Sequence, residues 1–288
     1  MRTHDELKQL LTQIKSNNYI IPSEIDINSL ISDMLTHIGH TDGELRDKLI
    51  YTTFSNIIDD SHLDTTQVKH ILTTCIDKHH LFYGIGEKDT DTVFTRAFSS
   101  LPISLALWAN QNNTPFLTAN EINNIKSTVL HYINQEKDCR GYVESKGWAH
   151  AIAHIADVLG HLAEASNTVD TGDDFSVGHE GMLEILSAVK QLVCNENSVY
   201  TAQEDERLAV PVMDVIYREM LTHEQITGWI DSFNMKDNEW WNGPLPAAYN
   251  RYVNSKNFMR SLYFKLVADG DYDEICKHVL ELLVESDD

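Results

Sequence analysis

The residues best suited to chemistry lie between Asp138 and Leu162, in the run DCRGYVESKGWAHAIAHIADVLGHL. His150 and His154 stand four apart, and Asp157 follows three residues later. If the segment is helical from about Val143 onward, a step of ~100° per residue places His150, His154, Asp157, His161 and Glu164 along one stripe. The opposite half of that helix carries Ile152, Ile155, Leu159 and Leu162, with Val158 at its edge. The plain reading of such a pattern is the solvent face of an amphipathic helix. Three features set this stripe apart. It holds no Lys or Arg, and Gly147 with the alanines at 149, 151, 153 and 156 allows close approach of a ligand or a second helix. Tyr142 and Trp148 flank it and are suited to wall a pocket.

Two histidines at this spacing suit a single metal ion, with Asp157 as third ligand or as an orienting carboxylate. The zinc-protease pattern needs Glu directly after the first His, and Ala151 occupies that place. His161 lies roughly 16 Å beyond His150 along a helix axis, too far to share one ion. A further ligand would have to come from another helix, so neither bound metal nor cofactor is expected. Two uses remain: hydrogen bonding to a polar ligand, or acid–base work by a His–Asp pair in a hydrolase or lyase. Arg140 offers either a bidentate clamp for a ligand carboxylate or a tie to Asp138 or Asp205. Cys139 beside it has no positioned base and reads as an inert thiol.

Arg140-Gly141-Tyr142-Val143, Lys146-Gly147-Trp148-Ala149-His150, Ala153-His154 and Asp157 together resemble the signature of a bacterial family catalogued as domain of unknown function 2785. Arg46-Asp47, Arg96-Ala97-Phe98-Ser99 and Glu204-Asp205-Glu206-Arg207-Leu208 look like weaker positions of the same family. Ile155 stands where the family suggests Gly, and Ala97 where it suggests Ser; both bear on pocket shape. The resemblance spans roughly residues 5–270, implies a helical-repeat fold and implies no known activity. The expected ligand-binding set is therefore Arg140, Tyr142, Lys146, Trp148, His150, His154 and Asp157, with no metal ligands.

The elements that must position this set are helical almost throughout. Apolar periodicity predicts about twelve helices, near 4–16, 27–38, 42–59, 65–80, 90–111, 119–137, 143–165, 178–194, 202–220, 222–234, 246–269 and 272–285. Pro102 and Pro211 fall inside two of them and predict kinks. Long helices recur every 45–60 residues or so with a second helix between, the pattern of an all-α, HEAT/armadillo-like solenoid of helix pairs forming one domain over residues 1–288. Such a stack offers a concave groove, and a small polar molecule or peptide is the expected occupant. A scaffold that engages a partner protein through Trp240 and Trp241 is the other binding reading.

The 288 residues carry a formal charge of −22, which disfavours nucleic acid and anionic membrane surfaces as partners. The acidic run Asp170–Asp174 lacks the ligand spacing of a calcium loop. Fourteen histidines would cancel much of the negative charge below about pH 6.5. The four cysteines show no paired spacing, and the first fourteen residues, MRTHDELKQLLTQI, lack the apolar core of a signal peptide. A cytoplasmic location is expected, while oligomeric state is not legible.

Overall fold

The computed structural model describes residues 1–59, 62–165, 177–234 and 243–285. The Asp170–Asp174 run and the Trp240–Trp241 pair lie outside them. Among the described residues the chain is helical apart from loops and one two-stranded antiparallel hairpin. No helix of these residues is long and apolar enough to cross a membrane.

The chain divides into two compact units, Met1–Val158 with Ala165–Ser176, and Leu159–Glu164 with Val177–Asp288. The first contains α1 (His4–Ser16), α2 (Ile27–Thr36), a π-helix (Glu44–Tyr51) running into α3 (Thr52–Asp59), α4 (Thr65–Cys75), α5 (Thr92–Asn112) and α6 (Ala119–Gln135). Strands β1 (Tyr142–Val143) and β2 (Gly147–Trp148) follow, and then α7 (Ala151–Glu164), whose first half belongs to this unit. The second unit takes the rest of α7 with α8 (His179–Val193), α9 (Glu204–Tyr217), α10 (His223–Asp231), α11 (Ala247–Asp269) and α12 (Asp273–Glu285).

Local chemistry fixes the helix starts. Thr3/Glu6, Asp64/Gln67, Thr118/Glu121 and Thr222/Gln225 form reciprocal capping boxes that satisfy amides otherwise left open. Helices α5 and α9 run through Pro102 and Pro211. The core of the first unit includes Leu11, Met34, Phe54, Ile71, Phe94, Phe98 and Tyr132. That of the second includes Ile185, Val212, Phe233, Phe258 and Leu262.

Two expected helices are corrected. The helix placed at 65–80 ends at Cys75, because the Asp77 carboxylate takes the His79 amide at 2.7 Å and the His80 ring at 2.9 Å. That local turn competes with the helical ladder. The helix placed at 143–165 begins only at Ala151. Ser145, Gly147 and His150 have φ of 65°, 83° and 55°, left-handed values that interrupt a right-handed helix, and the preceding residues form the hairpin instead.

Candidate functional site: an aromatic hairpin on a buried arginine

The hairpin pairs Tyr142 with Trp148 and Val143 with Gly147. Its ladder extends outward through Ala149 N–H to Gly141 C=O at 2.8 Å and His150 N–H to Arg140 C=O at 3.1 Å. His150 is thus the residue before α7 rather than a member of it. Its carbonyl accepts the His154 amide at 2.9 Å, which starts the helical ladder. The single stripe expected along one helix therefore resolves into a hairpin end and one helical turn.

A run of ring contacts connects these residues from the surface inward. Tyr142, 61% exposed, meets Trp148, 39% exposed, edge to face at 5.0 Å. Trp148 stacks on His150 at 4.3 Å, and His150 meets His154 at right angles at 5.7 Å. His154 is 7% exposed, packs edge to face against Phe98 at 5.1 Å and bonds through Nδ1 to the Ala97 carbonyl at 3.1 Å. A carbonyl only accepts, so that nitrogen carries the proton. His154 is thereby a core histidine, while Tyr142, Trp148 and half-buried His150 form the reachable end of the run. Asp157 lies half-buried one turn beyond His154.

Beneath the hairpin lies Arg46, fully buried on the π-helix. Its Nη2 donates to the carbonyls of Lys146 at 2.8 Å and Trp148 at 2.9 Å, and Nη1 to that of His40 at 2.5 Å. The guanidinium sits 4.1 Å above the Phe94 ring and 4.6 Å above Phe98. No described carboxylate forms an ion pair with it, and its Nε is buried without a partner among the described residues. Burial pushes the guanidinium down to about 10, still charged at neutral pH. Carbonyl dipoles and ring faces replace the usual carboxylate, and only the planar fork of Arg reaches three carbonyls at once.

Two glycines make the approach possible. A Cβ on Gly43 would lie 2.9 Å from the Lys146 carbonyl oxygen, and Gly147 has φ of 83° with space for a Cβ only 3.4 Å from Arg46 Nη2.

The remaining cations of the site are paired. Arg140 donates to both oxygens of fully buried Asp138, at 2.9 Å from Nε and 2.6 Å from Nη2, and to the Thr90 carbonyl at 2.5 Å. Of its two expected uses, the tie to Asp138 is the one formed. Lys146 Nζ sits 2.7 Å from each oxygen of Asp91. Arg140 and Lys146 thus strap the hairpin to the segment that precedes α5. A second buried arginine, Arg96, is held bidentately by Glu136 at 2.6 and 2.9 Å, and the Tyr132 hydroxyl donates to the same carboxylate at 2.7 Å. Together with the Tyr83 and Gly84 carbonyls this network anchors the base of α5, from which Phe94, Ala97 and Phe98 project toward the site.

Among the described residues no group of three or more His, Cys, Asp or Glu is placed to hold a metal ion. In the second unit, Asp205 accepts from Ser261 at 2.7 Å, and Glu204, first residue of α9, accepts the amide of Ala202 in the preceding turn at 2.8 Å.

Residues 81–264, more than half of the chain, match the model of a family described as protein of unknown function, DUF2785. The chain belongs to this family. The matched span takes in Arg96, the hairpin, α7 and α9 and begins after Arg46. No curated protein and no solved structure matches the chain. DUF2785 membership leaves the chemistry to be argued from the site.

Sequence reasoning missed the hairpin and the role of Arg46. The hairpin had a signal: Tyr142, Val143 and Trp148 are strand formers around Ser145-Lys146-Gly147, a turn-forming run. Arg46 had only its place in a weak family position as a signal, since two of its three carbonyl partners lie about a hundred residues away.

Proposed function

We propose that this protein is a binding protein whose β1–β2 hairpin presents Tyr142 and Trp148, with His150 behind them and Lys146 and Arg140 at the sides, to a small polar ligand or peptide. The observation that carries this reading is the combination of an exposed perpendicular aromatic pair with a buried, carboxylate-free arginine beneath it. Burying a guanidinium costs several kcal/mol or so before compensation. A surface hairpin of two residues per strand gains little stability of its own from that outlay. What the arrangement supplies is rigidity, and a pre-formed aromatic surface loses less entropy when it binds.

The scaffold we infer is a stack of helix pairs. Pairings between helices adjacent or next but one in sequence support it: α4 with α5 and α3 with α5 in the first unit, α8 with α9, α9 with α11 and α11 with α12 in the second. Free thiols at all four cysteines suit a reducing, cytoplasmic setting. The hydrolase or lyase reading draws less support, because His154 is buried and its Nδ1 is held by a carbonyl.

Melting scans against a library of metabolites and short peptides test the proposal. A true ligand raises the midpoint with concentration in the native protein. The same compound should leave a Tyr142→Ala/Trp148→Ala variant unmoved. A ligand that shifts both proteins equally binds elsewhere and refutes the hairpin as its site.

A further inference from the structure

The turn after α2 and the loop after α4 flank an open cavity of about 380 Å3 lined by His37, His40, His79, His80, Tyr83 and Thr95, among others. It shares no lining residue with the hairpin. Hydrogen-bond partners fix the tautomers of three of its rings. His37 Nε2 lies 3.1 Å from the Arg2 carbonyl, which only accepts, so Nε2 carries the proton and Nδ1 keeps its lone pair. His80 Nδ1 donates to the Asp77 carboxylate at 2.9 Å, which leaves the lone pair on Nε2. His40 Nδ1 accepts the Asp42 amide at 3.1 Å, and its ring stacks on His4 at 4.9 Å. Two residues that line one cavity thus each keep a ring nitrogen with a lone pair and no hydrogen-bond partner among the described residues.

Other features of the cavity have the same sign. Leu35 to His40 place the carbonyl end of α2, the negative end of its dipole, in the wall. The Tyr83 ring, 46% exposed, adds a π face of the kind that attracts cations. Asp77 stands behind His80, Asp5 lies 3.1 Å from His4, and His79 completes the titratable groups on this side. Three nearby cations are already engaged, Arg2 with Asp33, Lys8 with Asp42 and Glu44, and Arg46 with the His40 carbonyl, while exposed Lys78 beside His79 has no ion pair among the described residues.

We infer that this cavity is a second binding site, for a small organic cation whose ammonium group donates to His37 Nδ1 and His80 Nε2 beside the end of α2. The occupant is an amine rather than a metal ion, since no set of three His, Cys, Asp or Glu among the described residues is placed to hold one.

Three four-carbon probes decide it: 1,4-diaminobutane, 1,4-butanediol and succinate, titrated at about physiological salt so that diffuse attraction to the acidic surface is screened. Histidine ring nitrogens are followed by NMR, and His37→Ala and His80→Ala identify their signals. The diamine is expected to shift the His37 and His80 signals saturably near pH 7.5, and the diol is not. Each substitution should weaken affinity about tenfold or more. Where an alanine variant fails to fold, His37→Gln or His80→Gln supplies the signal assignment and the affinity comparison. Diamine shifts that never saturate or that miss both rings overturn the inference. So does tighter binding of succinate.

Discussion

Arg46 donates to the carbonyl of Trp148 at 2.9 Å across 102 residues of sequence. The same guanidinium nitrogen holds the Lys146 carbonyl, so both flanks of Gly147 hang on one buried charge. Replacing Arg46 should therefore act on the hairpin more than on the apolar core. Arg46→Lys keeps a charge but loses the fork, and Arg46→Met keeps much of the volume and leaves three carbonyls without donors. Each is expected to cost about 3–5 kcal/mol in urea unfolding, the usual range when one partner of a buried polar set is removed. A loss below about 1 kcal/mol would mean that water replaces the guanidinium and that the hairpin does not depend on it.

The Arg96–Glu136 pair gives an internal comparison, because here the buried arginine has its carboxylate. Glu136→Gln keeps the shape, removes the bonded negative charge and leaves Arg96 with carbonyls, Thr92 and the more distant Asp138 charge. Stability should fall by about 3 kcal/mol or more. The double variant Glu136→Gln/Arg96→Met should recover part of that loss, which a cycle of unfolding measurements can read directly.

His150 and His154 should separate under mutation. His154→Ala empties a buried place against Phe98 and strands the Ala97 carbonyl, at a cost of about 2–4 kcal/mol. His150→Asn suits the left-handed backbone at φ of 55° and is expected to stay within about 1 kcal/mol of the parent. Equal losses at the two positions would contradict the assignment of one to the core and the other to the binding surface.

Much of the helical frame is legible in the sequence, because capping and apolar spacing are local. Thr118 followed by Glu121 marks the start of α6, and His4–Ser16 shows its apolar spacing directly. The site is less legible. A wheel drawn through Gly147 and His150 assumes right-handed backbone at both, and neither has it. The sequence does bring Tyr142, Trp148, His150 and His154 forward as a set, and they do form one run of contacts. Their support from Arg46, Asp91 and Ala97 is a product of tertiary packing that no local pattern carries.

The second unit carries a pH dependence of its own. Burial, reinforced by the Glu164 charge, pushes the Asp214 carboxyl up to about 7, although His161 and Lys265 act in the opposite direction. The carboxylate is pressed against Gly160, where a Cβ would fall 2.7 Å from its oxygen. An acid whose folded pKa lies above its unfolded value binds more protons when folded, so its contribution to stability falls as pH rises from about 4 to 7. Asp214→Asn should flatten the stability profile across that window. It should also raise stability above neutral pH by about 1–3 kcal/mol. A profile that keeps its slope would place the titrating group elsewhere.

The account rests on a hairpin already formed before any ligand arrives. Amide hydrogen exchange on the free protein tests this most directly, at Ala149 and His150, whose N–H groups bond to the Gly141 and Arg140 carbonyls. A pre-formed hairpin predicts protection at these two amides comparable to that of the α5 core, lost selectively in Arg46→Lys. Exchange at the rate of an open loop, or protection indifferent to Arg46, would contradict it.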